Sequence, residues 1–109
     1  MKTDTRTYKR VSVIAVEGRI DSNTAADFET AVENALSENS NLIFDASRVD
    51  FLSSSGLRVL VTARKKAKSR GGEFSLCSLS DQARDSLSIA GLDVLFTIHP
   101  DRESAIGSY

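Results

Sequence analysis

The sequence predicts an α/β fold built on a small, mixed but mostly parallel β-sheet, and three observations predict it. Short apolar segments alternate with amphipathic ones along all 109 residues, the pattern of a sheet flanked by helices. Two of the apolar segments, Val11 to Val16 and Leu42 to Phe44, have the composition of buried strands. Capping residues or glycines punctuate the chain where one segment gives way to the next.

Residues 1 to 6 are polar and expected to be a flexible N-terminus, leaving 7 to 109 as a single domain. Val11 to Val16 is rich in β-branched residues and predicts a strand ending at Gly18, with Thr7 to Lys9 as a short edge strand in an N-terminal β-hairpin. Asp21-Ser22-Asn23-Thr24 is a cluster of capping side chains ahead of a helix over 24–38. Phe28, Ala31, Val32, Ala35 and Leu36 form its apolar face. Leu42-Ile43-Phe44 predicts a short buried strand, and Asp45 to Asp50 a loop leading into Ser53-Ser54-Ser55-Gly56. A second helix over 57–69 follows and stops at Gly71-Gly72. Glu73 to Cys77 alternates as a strand, and Ser80-Asp81 caps a third helix that ends at Gly91. Val94 to Ile98 predicts the last strand, and Pro100 opens a short fourth helix to about Ile106. Right-handed crossovers are expected between the parallel strands.

Composition narrows the function. The chain is 40% hydrophobic and 27% charged with a formal net charge of −1, so no global field draws it to nucleic acid or a membrane. A single cysteine, Cys77, excludes an internal disulfide and fits a reducing compartment. No apolar run approaches the ~20 residues of a membrane span, and the polar start lacks the apolar core of a secretory signal. A cytoplasmic location is the expectation, with no membrane span and a monomer or weak dimer as the assembly.

The serine run is the most informative feature of the chain. Three hydroxyls ahead of a helix suit a cap, a nucleophile or a phosphorylation switch. A nucleophile elbow needs glycine two residues to either side of the serine, and Leu52 stands where the first would be. The lone histidine, His99, lies beyond the last strand. No phosphate-cradling glycine motif is present, and one Cys and one His do not make a metal cluster. No cofactor or catalytic role is therefore expected. Asp45 and Asp50 flank the serine loop and Asp21 precedes a helix, a pattern that suits loop hydrogen bonds better than an acidic site. Arg58, Arg64, Lys65, Lys66, Lys68 and Arg70 make the second helix basic. Without interleaved aromatics to stack bases, a solvated face near the helix C-terminus explains them better than direct nucleic-acid binding. Cys77, on a strand, is expected in the core.

The stretch from Leu42 to Leu57, with Phe51-Leu52-Ser53-Ser54-Ser55-Gly56-Leu57 at its end, closely resembles the signature of STAS domains, and of bacterial anti-sigma factor antagonists in particular. Gly18-Arg19-Ile20-Asp21 with Thr24-Ala25, Gly71-Gly72-Glu73-Phe74, and Ile89-Ala90-Gly91-Leu92 with Leu95-Phe96 resemble further segments of the family. The resemblance spans about residues 8 to 106 in register. It implies the STAS fold, with about four helices around the sheet. It also implies a non-enzymatic regulator of transcription that works by partner switching. In its unphosphorylated form such a protein binds a serine kinase anti-sigma factor of the GHKL ATPase type. Phosphorylation breaks that complex, and a serine phosphatase restores it. The residue that takes phosphate corresponds to Ser54, and the partner-binding surface to Asp21, Ser53, Ser54, Ser55, Gly56 and Arg58. Where the family has Asp before the acceptor this chain has Ser53, an alternative acceptor. The resemblance also admits an alternative, a STAS subunit or scaffold of a lipid-transport ABC complex or signalling assembly that is never phosphorylated.

Overall fold

The β-branched run after Val11 becomes the second strand of a five-stranded sheet in the computed structural model, which describes all of residues 1–109. The strands are β1 (Lys2–Thr7), β2 (Ser12–Ile20), β3 (Leu42–Leu52), β4 (Phe74–Cys77) and β5 (Thr97–His99). The helices are α1 (Ala25–Glu38), α2 (Ser54–Ser69), α3 (Asp81–Ile89) and α4 (Arg102–Gly107). Strand order follows chain order. β1 pairs antiparallel with β2, and every later pair is parallel.

Helices α1, α2 and α3 cover one face of the sheet. Phe28, Leu36, Leu57, Leu60 and Leu87 pack there on Ile14, Val16, Leu42, Phe44 and Leu76, and the Phe28 and Phe44 rings lie 5.1 Å apart. Burying each such side chain contributes about 1.5–3 kcal/mol. The other face has a smaller cluster, Val11, Val13, Ile43, Cys77 and Ala105, under α4. The core thus sits mainly between the sheet and its three long helices, and α4 covers only part of the far side.

Four strands depart from the sequence expectation. From Lys2 onward the segment expected to be flexible is strand β1, not a tail. All six of its residues are exposed, so no apolar period announces it, and the hairpin pairing with β2 defines it. Strand β3 runs straight through Asp45 to Asp50, where a loop was expected. Two register shifts in its pairing with β2 disturb the period of two. Only its first four residues, Leu42 to Asp45, also pair with β4, so its far half is polar where one side is open. In β4 all four residues are buried instead of alternating, because helices lie on both faces there. Val94 and Leu95 lie outside any strand, 85% and 38% exposed. Phe96 instead turns inward, edge-on to Phe74 at 6.2 Å, and β5 begins after it.

The approach to β3 and the approach to β4 are tied to each other. The Leu42 amide donates to the Glu73 carbonyl at 2.9 Å, and the Glu73 amide to Asn41 Oδ1 at 3.0 Å. Gly71, at φ +79°, turns the chain out of α2. Gly72 then passes so close to Ser40 that a Cβ there would lie 2.0 Å from the Ser40 carbonyl oxygen. The obstacle is backbone, so it cannot rotate away. Gly72→Ala is therefore expected to destabilise the fold by about 3 kcal/mol, the upper end of overpacking costs. Chemical denaturation of the two proteins measures the difference.

Candidate functional site

Strands β2 and β3 end together, with Ile20 opposite Leu52 in the parallel register. The Ser53 amide donates to the Ile20 carbonyl at 2.9 Å, one residue past the ladder. The turn that begins at Asp21 and the serine run are thereby brought side by side at the carboxyl ends of neighbouring strands, where parallel sheets gather functional groups.

Helix α2 begins inside the serine run. Ser53 is its N-cap, in extended conformation, and its Oγ accepts from the Gly56 amide at 3.4 Å, a long and weak bond. Ser54 and Ser55 are the first two helical residues, not part of a preceding loop. The expected boundary at Leu57 is three residues late, because Ser53 itself is the cap. Of the three serines, Ser54 alone is exposed, and only the Ser53 hydroxyl is engaged within the fold. Arg58 is exposed one turn further on, at the i+4 position where helical side chains meet.

Gly56 explains how the site is held. It is buried, and a Cβ on it would lie 2.6 Å from Leu52 Cδ1 and 2.8 Å from Ile20 Cγ2. The absence of a side chain lets the first turn of α2 rest directly on the two residues that end β2 and β3.

Asp21 heads a tightly bonded turn. Its Oδ1 accepts from the Asn23 amide at 2.9 Å, and its own amide donates to Thr24 Oγ1 at 3.0 Å. The Thr24 hydroxyl in turn donates to the Arg19 carbonyl at 2.8 Å. The Asn23 amide above all, with help from Thr24 and Arg19, holds the Asp21 carboxyl below the usual range. The Arg19 guanidinium lies 3.6 Å from Asp21 and 4.5 Å above the centre of the Phe51 ring. It links the two strand ends by charge and by cation–π attraction.

Gln82 is a positioning residue that the sequence did not disclose. Its Oε1 accepts from the Leu52 amide and its Nε2 donates to the Leu52 carbonyl, both at 2.9 Å. β4 has already ended beside Asp45, so nothing else pairs this edge of β3. The Gln82 amide does the work of a missing strand, immediately before the cap of α2. In sequence Gln82 is one polar residue in the first turn of a helix, and no local signal marks it.

Other candidates lie elsewhere. Asp45 does not flank the serines: it is buried on the α4 face, where it accepts from Arg102 Nε at 2.8 Å. Asp50 is exposed on β3. Cys77 is buried, and burial followed by the nearby Asp45 charge pushes its thiol up to about 11. His99 lies on β5, its Nε2 3.5 Å from Ser108 Oγ. In the basic helix, Lys66 pairs with Glu33 of α1, and Lys68 lies 3.7 Å from Glu73. No helix is long and apolar enough to cross a membrane.

A mostly parallel five-stranded sheet, one antiparallel edge and an exposed serine at the start of the second helix define a class of regulatory domain. The chain matches the STAS domain model over residues 2–105, and it belongs to that family. It is 30% identical over 100 residues to the anti-sigma-F factor antagonist RsfB of Mycobacterium tuberculosis, covering 91% of this chain and 81% of that one. The crystal structure of an anti-sigma factor antagonist from Mycobacterium paratuberculosis superposes with a TM-score of 0.89 at 30% identity, covering 98% of this chain and 92% of that one. The anti-sigma factor antagonist SpoIIAA in its unphosphorylated form has the same fold, with a TM-score of 0.81 at 19% identity and coverage of 96% and 93%.

Two outcomes test this account of the site. Gln82→Ala leaves the Leu52 amide and carbonyl without partners. It should cost about 1–3 kcal/mol and speed hydrogen exchange at Leu52 while leaving Ile43 unchanged. Because the Asp21 carboxyl is held low, its contribution is complete above the ordinary carboxylate range and fades as pH falls through the lowered value. An acid titration followed by NMR should therefore move the Asn23 amide shift with a midpoint below that of an ordinary aspartate.

Proposed function

We propose that this chain is an anti-sigma factor antagonist whose binding is switched by phosphorylation of Ser54. The observation that carries the reading is the division of labour among the serines. The Ser53 hydroxyl is engaged as the cap, and the Ser54 hydroxyl stands exposed beside it. Membership of the STAS family and 30% identity to an anti-sigma-F factor antagonist support the role.

In the unphosphorylated state the surface around Asp21, Ser53, Ser54, Ser55 and Arg58, with Gly56 buried beneath it as the seat and not as a contact, docks on an anti-sigma factor, a serine kinase of the GHKL ATPase type. Docking frees the sigma factor. The Ser54 Oγ then attacks the γ-phosphorus of ATP, ADP departs, and the hydroxyl proton passes to a base on the kinase. The chain is the substrate of this step and not its catalyst. A serine phosphatase hydrolyses the ester and restores the binding form.

The physical chemistry of the site supports a switch of binding without a change of fold. A phosphate brings about −1.5 to −2 charges at neutral pH. On Ser54 it sits at the positive end of α2, with Arg58 one turn away. Nothing buried has to move, because Ile20 and Leu52 lie beneath the first turn of the helix and Gly56 is on its inner side. At an interface the same charge, desolvated against a surface shaped for a neutral hydroxyl, costs several kcal/mol. Ser53 is the less suitable acceptor, since its hydroxyl belongs to the cap.

The test pairs the protein with its cognate kinase and ATP and maps the product by mass spectrometry. Ser54→Ala should accept no phosphate, and Ser54→Asp should fold normally yet bind the kinase at least about tenfold more weakly. Ser53→Ala should still be phosphorylated while losing about 1 kcal/mol of stability with the cap. Full phosphorylation and unchanged binding of Ser54→Ala would exclude this assignment.

A further inference from the structure

The sheet has one long open edge. β1 is six residues of extended chain, Lys2-Thr3-Asp4-Thr5-Arg6-Thr7, all exposed and free of proline. β5, the opposite edge, has only three residues. The Tyr8 amide donates to the Val11 carbonyl at 2.8 Å, which makes this a hydrogen-bonded pair of the hairpin. Antiparallel ladders alternate such pairs with non-bonded ones. In the register that joins Lys2 to Glu17 and Thr7 to Ser12, Lys2, Asp4 and Arg6 therefore turn their backbone groups toward β2. Thr3, Thr5 and Thr7 turn theirs outward, where no strand receives them.

We propose that β1 pairs antiparallel with β1 of a second copy of this chain about a two-fold axis at Thr5, giving a weak dimer with one continuous ten-stranded sheet. The side chains select both the partner and the register. With Thr5 opposite its own copy, Thr3 faces Thr7 and Thr7 faces Thr3, so every outward backbone group meets another. Between them Asp4 faces Arg6 and Arg6 faces Asp4, both at non-bonded positions where opposed side chains come closest. A two-residue slip puts Asp4 against Asp4 and Lys2 against Arg6, which is repulsive. Threonine on one face and a reciprocal acid–base pair on the other make the strand complementary to itself.

Within one chain Arg6 Nε lies 3.2 Å from Asp4 Oδ2, but both side chains are more than 60% exposed, so little holds them to that arrangement. The two-fold axis sends the carboxyl ends of the two β2 strands in opposite directions. The Ser54 sites then face away from each other, outside the contact. The interface is small, in the range of transient complexes, and a dissociation constant on the order of 10–100 µM is expected.

Charge reversal tests the pairing in protein without an added N-terminal tag. In sedimentation equilibrium the wild type should form dimers as concentration rises. Asp4→Arg and Arg6→Asp should each dissociate at least about tenfold more readily, since each sets like charges opposite one another twice per dimer. Reversing both positions in one chain should restore the dimer, as should mixing the two single variants. Amide exchange at Thr3, Thr5 and Thr7 should slow with concentration, while exchange at Asp4 stays constant. A wild type still monomeric at about 1 mM, well above the expected constant, overturns the proposal. So do single variants that dimerise as the wild type does, or a double reversal that stays monomeric although circular dichroism shows it folded.

Discussion

The seat of helix α2 on Ile20 and Leu52 is the constraint on which the rest of the site depends. Both residues are buried to within 1% of full exclusion, and both end their strands at the same level. Gly56 brings the helix against them closer than any side chain would allow. That contact fixes the height of the first helical turn above the sheet. It also fixes which serine is the cap and which stands free.

Two sets of polar contacts then hold the strand ends that form the seat. On one side the Asp21 turn is bonded to itself through Asn23 and Thr24 and tied to Phe51 through Arg19. On the other, Gln82 supplies the hydrogen bonds that β4 is too short to give. The result is a well-braced platform on which one of the three serines, Ser54, stands exposed. The switch proposed above needs such a seat, because a phosphate on Ser54 then alters the surface and leaves the fold as it was.

The two faces of the sheet are unequal for a reason of length. Three long helices shield one face with a large core, and α4, six residues long, shields only part of the other. Beyond the reach of α4 the sheet is lined by Lys2, Asp4, Arg6, Glu17, Arg48 and Arg102 around a cavity of about 490 Å³. Charged side chains replace a hydrophobic cover there. The same distribution leaves β1 polar on both sides, so its stability comes from backbone pairing along its inner edge.

How much of this was legible in the chain depends on whether the signal was local. The helices were, because Phe28, Val32 and Leu36 repeat at helical spacing and Ser80 caps the third, although the second begins at its Ser53 cap, earlier than expected, and the fourth after Asp101, later than Pro100. The candidate site was legible as a string of residues, since caps, glycine and serine act on neighbours in sequence and the resemblance to the STAS signature rests on that string. Strands with exposed or bulged halves were not. β1 buries nothing, β3 passes its neighbour and loses its period, and the apolar Val94 and Leu95 join no ladder. Nor could the sequence reveal that Gln82 serves Leu52 thirty residues away, or that Asp45 belongs to Arg102 and not to the serines. Sequence by itself determined the elements with local periodicity and caps, and it supplied the residues from which the proposed switch is built. Only the tertiary structure decided which hydroxyl is free and what holds it in place, because those depend on where separate strands end in space.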